Sequence, residues 1–151
     1  MNVGGNFTLE AATAYTKGGT LIFDGGTLIA PLLFADYGTH NLGNVVIDAP
    51  GVTTLTTNMT DDTLTIQTGD TLITDGFNIT LTDSLTIQAG GTLTATRVDL
   101  GSGSYRVSTI SIGGNWTNGG VFTAGSGSGG STVVFTAGDG PSVLAGDSTF
   151  Y

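Results

Sequence analysis

The phrase TLTIQTGDTL at 63–72 returns at 84–93 as SLTIQAGGTL, seven of ten positions identical at an offset of 21 residues. Self-similarity at a fixed short period marks stacked repeat architectures and decides the fold before any single residue does. Within Thr63–Ile66, Leu64 and Ile66 alternate with Thr63 and Thr65, the period of a half-buried strand with threonine outside. Gln67–Asp70 then reads as a turn, and Thr71–Thr74 as a second short strand. Asp75–Asn78 contains the strong turn dipeptide Asp-Gly. Ile79 and Leu81 alternate with Thr80 and Thr82 in a third strand, Asp83-Ser84 turns the chain, and the phrase begins again.

Three strands and three turns in one period make one coil of a β-solenoid. Each strand then pairs in parallel with the strand one coil later, about 4.8 Å along the axis. The spacing puts Leu85 over Leu64 and Ile87 over Ile66, so like stacks on like. Looser copies of the apolar couplet extend this ladder: Leu21/Phe23, Val45/Ile47, Leu64/Ile66, Leu85/Ile87, Ile110/Ile112 and Val133/Phe135. Their intervals are 24, 19, 21, 25 and 23 residues. The expected fold is all-β: one right-handed, single-stranded parallel β-helix over 1–151, with six or seven coils of 19–25 residues. Right-handed crossover is the strong default, and the stack would stand roughly 30 Å tall.

Composition agrees. Charged residues are 10% of the chain, against roughly 25% in ordinary globular domains. There are 26 glycines and 28 threonines, a strand-and-turn vocabulary without helix-forming stretches. The net charge is −9, which repels nucleic acid and anionic lipid and sets both aside as partners. No apolar run reaches the length of a membrane span. Cysteine is absent, so disulfides are excluded.

A longer echo overlies the short one. Val3-Gly-Gly-Asn-Phe-Thr8 returns as Ile112-Gly-Gly-Asn-Trp-Thr117, and Gly18–Phe23 returns as Gly130–Phe135. The unit is therefore about 110 residues, the second starting near 112. The chain opens and closes inside this pattern, which suggests a segment of a longer repetitive protein or a subunit that continues into its neighbour.

IGGNWTNGGVFTAG (112–125) and SLTIQAGGTLTA (84–95) resemble the repeats of large bacterial surface proteins, the filamentous-haemagglutinin-like and autotransporter-type adhesins. That resemblance implies a right-handed parallel β-helix, export to the cell surface, and service as a stalk, fibre or adhesin. The departure from the family's pattern is expected at the start, where Met1 opens directly in a coil rather than in an export or capping segment.

Residues able to do chemistry are few, and no cofactor is expected. His40 is the sole histidine, in a polar turn. Gly125–Gly130 lacks the strand-to-helix setting of a nucleophile elbow. Asp61, Asp62, Asp70, Asp75 and Asp83 are the densest carboxylates; the first four are candidate Ca²⁺ ligands, although Asp is favoured at turns for backbone reasons alone. Arg97 and Arg106 have no evident carboxylate cluster beside them, which weakens the pectate-lyase-like alternative. An isopeptide bond from Lys17 would need burial and a carboxyl catalyst. Thr54/Thr56, Thr63/Thr65, Thr80/Thr82 and Thr92/Thr94 invite an ice-binding reading, but their spacing scatters them over different faces. Asn6, Asn58, Asn78 and Asn115 head Asn-x-Thr sequons, candidates either for glycans or for a polar ladder at turns. Phe7 and Trp116 share the longer echo and are read as packing rather than a sugar platform.

The functional expectation is a secreted, non-enzymatic fibre or stalk at the cell surface. Its partners are copies of itself or flanking repeats, joined through end residues Val3, Phe7, Val133, Phe135 and Phe150. A carbohydrate-binding adhesin module, with a host or matrix glycan as partner, is the alternative.

Overall fold

The computed structural model of the chain describes residues 1–11, 14–24, 32–38, 40–125, 130–136 and 142–148. β1 (Asn2–Val3) and β2 (Phe7–Leu9) come first, followed by β3 (Thr20–Phe23) and β4 (Leu32–Asp36). β5 (Asn44–Ile47), β6 (Val52–Leu55) and β7 (Met59–Asp61) form a full three-strand coil. β8 (Thr63–Ile66), β9 (Thr71–Ile73) and β10 (Ile79–Leu81) form the next. β11 (Leu85–Ile87) and β12 (Thr92–Ala95) start a further coil, which a hairpin of β13 (Val98–Gly101) and β14 (Ser104–Arg106) interrupts before β15 (Thr109–Ile112) completes it. β16 (Trp116–Asn118), β17 (Val121–Ala124) and β18 (Thr132–Phe135) make another coil, and β19 (Leu144–Gly146) begins one more.

These strands stack into three parallel sheets, the faces of a β-solenoid. The first face runs β1-β3-β5-β8-β11-β16-β19, the second β2-β4-β6-β9-β12-β17, and the third β7-β10-β15-β18. The solenoid has about five turns rather than six or seven. The expectation ran high because the outer coils are partial: among the described residues the third face has four strands where the first has seven.

Period-two alternation builds each face. In β8, Leu64 and Ile66 are fully buried while Thr63 and Thr65 point out. The predicted registers hold through the first four couplets: Leu21, Val45, Leu64 and Leu85 form one column, and Phe23, Ile47, Ile66 and Ile87 its neighbour. Each fully buried aliphatic side chain in such a column contributes roughly 1.5–3 kcal/mol. The shared glycine of the two phrases also has a reason. Gly69 and Gly90 turn the same corner at φ +89° and +83°, where a side chain would strain the backbone.

The last two couplets do not continue that column. Ile110 and Ile112 stack on Ile79 and Leu81, and Val133 and Phe135 stack on them, all on the third face. The first-face column instead passes from Leu85 to Trp116 and then Leu144. The cause is the hairpin, which lengthens its coil so that partners lie 31 residues apart rather than 21. A couplet search at constant spacing therefore slips by one face. The longer echo slips likewise: Phe7 lies on the second face and its counterpart Trp116 on the first.

Aromatics close the ends of an otherwise aliphatic core. Phe7, Phe23 and Phe34 pack at 5.5–5.8 Å between ring centroids, and Trp116 meets Phe122 at 4.9 Å. Leu64→Ala should cost about 2–5 kcal/mol in urea unfolding followed by tryptophan fluorescence, because the rigid column above and below cannot refill the space. Thr65→Ala, one residue away on the outer surface, should change stability by less than about 1 kcal/mol.

Candidate functional site

The four sequon asparagines each occupy a corner that leads into a strand, of the second face for Asn6, the third for Asn58 and Asn78, and the first for Asn115. In each, Asn stands just before a strand, the next residue is buried or half-buried, and Thr points out: Phe7, Met59, Ile79 and Trp116 are the inward residues. The asparagine Oδ1 accepts a backbone N–H from the following coil. Asn6 takes Leu33 N at 3.1 Å, Asn58 takes Asn78 N at 2.9 Å, Asn78 takes Thr109 N at 2.8 Å, and Asn115 takes Val143 N at 2.9 Å. The Asn-x-Thr pattern thus follows from solenoid geometry: a polar corner cap, an inward rung, an outward β-former. Glycan transfer would use the amide nitrogen, which these bonds leave aside.

The candidate Ca²⁺ ligands do not converge. Among the described residues no three histidine or carboxylate side chains gather where an ion would sit. Asp61 points inward at the end of β7, while adjacent Asp62 points outward. Asp62 accepts from Lys17 Nζ at 2.8 and 2.9 Å, Asn41 Nδ2 at 2.9 Å and Thr82 Oγ1 at 2.9 Å. Asp75, at φ +50°, pairs with Arg106 at 3.2 Å, and Arg106 also donates to the Asp75 carbonyl. Asp83 bonds its neighbour Ser84. Three of the carboxylates are therefore structural fasteners.

Asp61 and Asp70 are different. Both Asp61 oxygens, and Oδ2 of Asp70, are buried without a hydrogen-bond partner. Burial, reinforced by Asp62 and Asp36, holds the Asp61 carboxyl well above the usual carboxylate range. Burial and the Asp48 charge push Asp70 up to about 6. Asp62 moves the other way, to about 2, chiefly because Lys17 hydrogen-bonds its charged form.

His40 is not simply solvated: its Nδ1 meets Asp36 at 2.6 Å and its backbone N–H donates to Asp36 Oδ2 at 2.6 Å. Trp116 is fully buried and its Nε1 donates to Ser148 Oγ at 2.9 Å, so it packs, as read from the echo. Sequence reasoning missed the hairpin, whose signal was the Gly-Ser-Gly-Ser turn at 101–104 between VDL and YRV. Arg106 clamps its base over Phe77 and Arg97 stacks on Tyr105, each 3.9 Å from the ring centroid. Tyr15 and Asp36 carried no motif and were missed as well.

Of the expected assembly ends, Val3, Phe7 and Val133 are half-buried and Phe135 is 40% exposed; Phe150 lies outside the described residues. Leu144, the inward rung over Trp116, is 55% exposed and joins Phe135 on the last strands, whereas Val121 stands in register with the outward Thr92. No family model, no curated protein and no solved structure matches the chain.

Two outcomes follow from this chemistry. Asn78→Ala should expose the Thr109 amide to roughly tenfold faster hydrogen exchange and cost about 1 kcal/mol, the worth of one such bond. The native Asp70 carboxyl binds its proton more tightly than the unfolded chain does. Its contribution to stability is therefore complete below the ordinary value of 3.8 and is lost as pH rises through about 6. Melting temperature should fall across that window, and Asp70→Asn should flatten this part of the profile.

Proposed function

We propose that the chain is a non-enzymatic structural segment of an extracellular cell-surface fibre or adhesin stalk, lengthened by coil-on-coil stacking. The observation that carries this reading is the state of the last rungs. The ladders run from coil to coil, yet Leu144 and Phe135, inward rungs of the final strands, are 55 and 40% exposed. A further coil, of the same polypeptide or of a second copy, would cover these side chains and extend the parallel hydrogen bonding on all three faces. A contact of that kind is head-to-tail and does not close, so it propagates along the axis.

The outer surface suits such a role. It is threonine-rich and sparsely charged, and the repeats resemble those of surface adhesins. The carbohydrate-binding alternative loses Trp116 to the core and keeps the exposed tyrosines Tyr37 (57%) and Tyr105 (47%), which lie apart in the chain.

Electron microscopy and light scattering of the purified chain over a concentration series test the stacking. Concentration-dependent filaments are expected, and the double variant Phe135→Asp, Leu144→Asp should stay dispersed. A wild-type chain that remains monomeric throughout, or a double variant that associates equally well, would overturn the reading.

A further inference from the structure

The stretch between β2 and β3 contains no strand among its described residues. Residues 14–19 lie instead against the start of the third face, where Asn41 bridges Thr60 and Leu42 N donates to Thr60 O at 3.0 Å. Tyr15 OH donates to Leu42 O at 3.1 Å, and the stem of Lys17 passes beside Gly43. Lys17 then reaches past that coil to Asp62 in the next one. This segment is a strap held by two side chains, whereas the coils beside it are held by continuous backbone ladders.

What lies behind the strap is unusual. Asp61 faces the core from the third face with both oxygens buried and unpartnered. Leu81 stands directly over it in the same column. The titratable groups around it are Tyr15 and Lys17 on the strap, Asp36 at the end of β4 with His40 just beyond it, and the adjacent Asp62, which Lys17 pairs. Asp36 is engaged by Gly38 N, His40 N and His40 Nδ1 and makes no hydrogen bond to Asp61.

We propose that residues 14–19 form a strap latched by the proton on Asp61 and by the Lys17–Asp62 ion pair, and that loss of the Asp61 proton releases it. A neutral carboxyl is tolerable in that place. A carboxylate there would have no donor, little solvation, and two other carboxyl groups close by. The least costly relief is to admit water from the side with fewest bonds, which is the strap. Burial raises the Asp61 pKa and, ahead of the nearby charges of Asp61 and Asp36, also raises that of the Tyr15 phenol.

The signs of the two latches are opposite. The Asp61 contribution is full at low pH and is lost as pH rises above the ordinary carboxylate range through its raised value. The Lys17–Asp62 contribution is present above the ordinary carboxylate value and is lost only as pH falls towards about 2. The strap is closed between these limits. Release would uncover Leu42 and the starting edge of the third face, the kind of edge that the stacking reading uses, although the latch itself does not depend on that reading.

Lys17 is the chain's only lysine, so a lysine-specific protease reports on the strap alone. Cleavage of the full chain after Lys17 is measured from pH 5 to pH 9, relative to a free peptide of residues 10–24 at each pH. Relative cleavage should accelerate with pH, by up to about tenfold per unit, the slope that one released proton produces. Asp61→Asn should remove this acceleration. Asp61→Leu, which places the residue of the neighbouring rung in the column, should do the same and guards against a folding defect in the first variant. Asp62→Asn should raise cleavage at every pH while leaving the acceleration in place. A pH-independent wild-type ratio, or an unchanged profile in a folded Asp61 variant, would overturn the proposal. Filament formation is scored separately, so failure of stacking leaves the latch result intact.

Discussion

Every coil of this protein depends on its neighbours for cover. A strand of three or four residues buries two apolar side chains, too few to offset the conformational entropy of ordering its coil. Stacking in parallel register solves this twice over: backbone N–H and C=O groups pair along the axis, and the inward side chains fall into columns. Leu64 under Leu85 and Ile66 under Ile87 are the unit of that arrangement. The same dependence explains why aromatic residues collect towards the ends of the core.

Length variation is absorbed at the corners. The hairpin adds its residues between the second and third faces, and the ladders on both sides continue in register. Asparagine corners work alongside: each lends its side-chain oxygen to the coil that follows, so the turns are tied axially as the strands are. Among the described residues Asp61, Asp70 and Thr53 carry buried side-chain oxygens without such a bond and depart from the scheme. The two carboxylates trade stability at neutral pH for a dependence on protonation, and Asp61 does so beside residues 14–19, a stretch without strand.

The solenoid was legible from ten residues because strand alternation and coil length are local properties. Leu21 through Ile87 could be stacked by counting. Beyond Ile87 counting failed, since a hairpin changes the interval while leaving the local apolar pattern intact. Ile110 and Val133 looked like first-face rungs because an inward rung reads the same on any face. Asn58 and Asn78 read equally as sequons or corner caps; only their inter-coil bonds show the second use.

By itself, then, the sequence determined the strands, their inward faces, the turns at glycine and Asp-Gly, and the obligation to stack. These follow from the period-two pattern and backbone preference within a few residues. The tertiary structure decided which column each rung joins, that Trp116 rather than Ile110 follows Leu85, and that adjacent Asp61 and Asp62 titrate in opposite directions. Those outcomes turn on contacts between residues some 20 to 45 positions apart, where desolvation and a single lysine act on side chains that look alike in the chain.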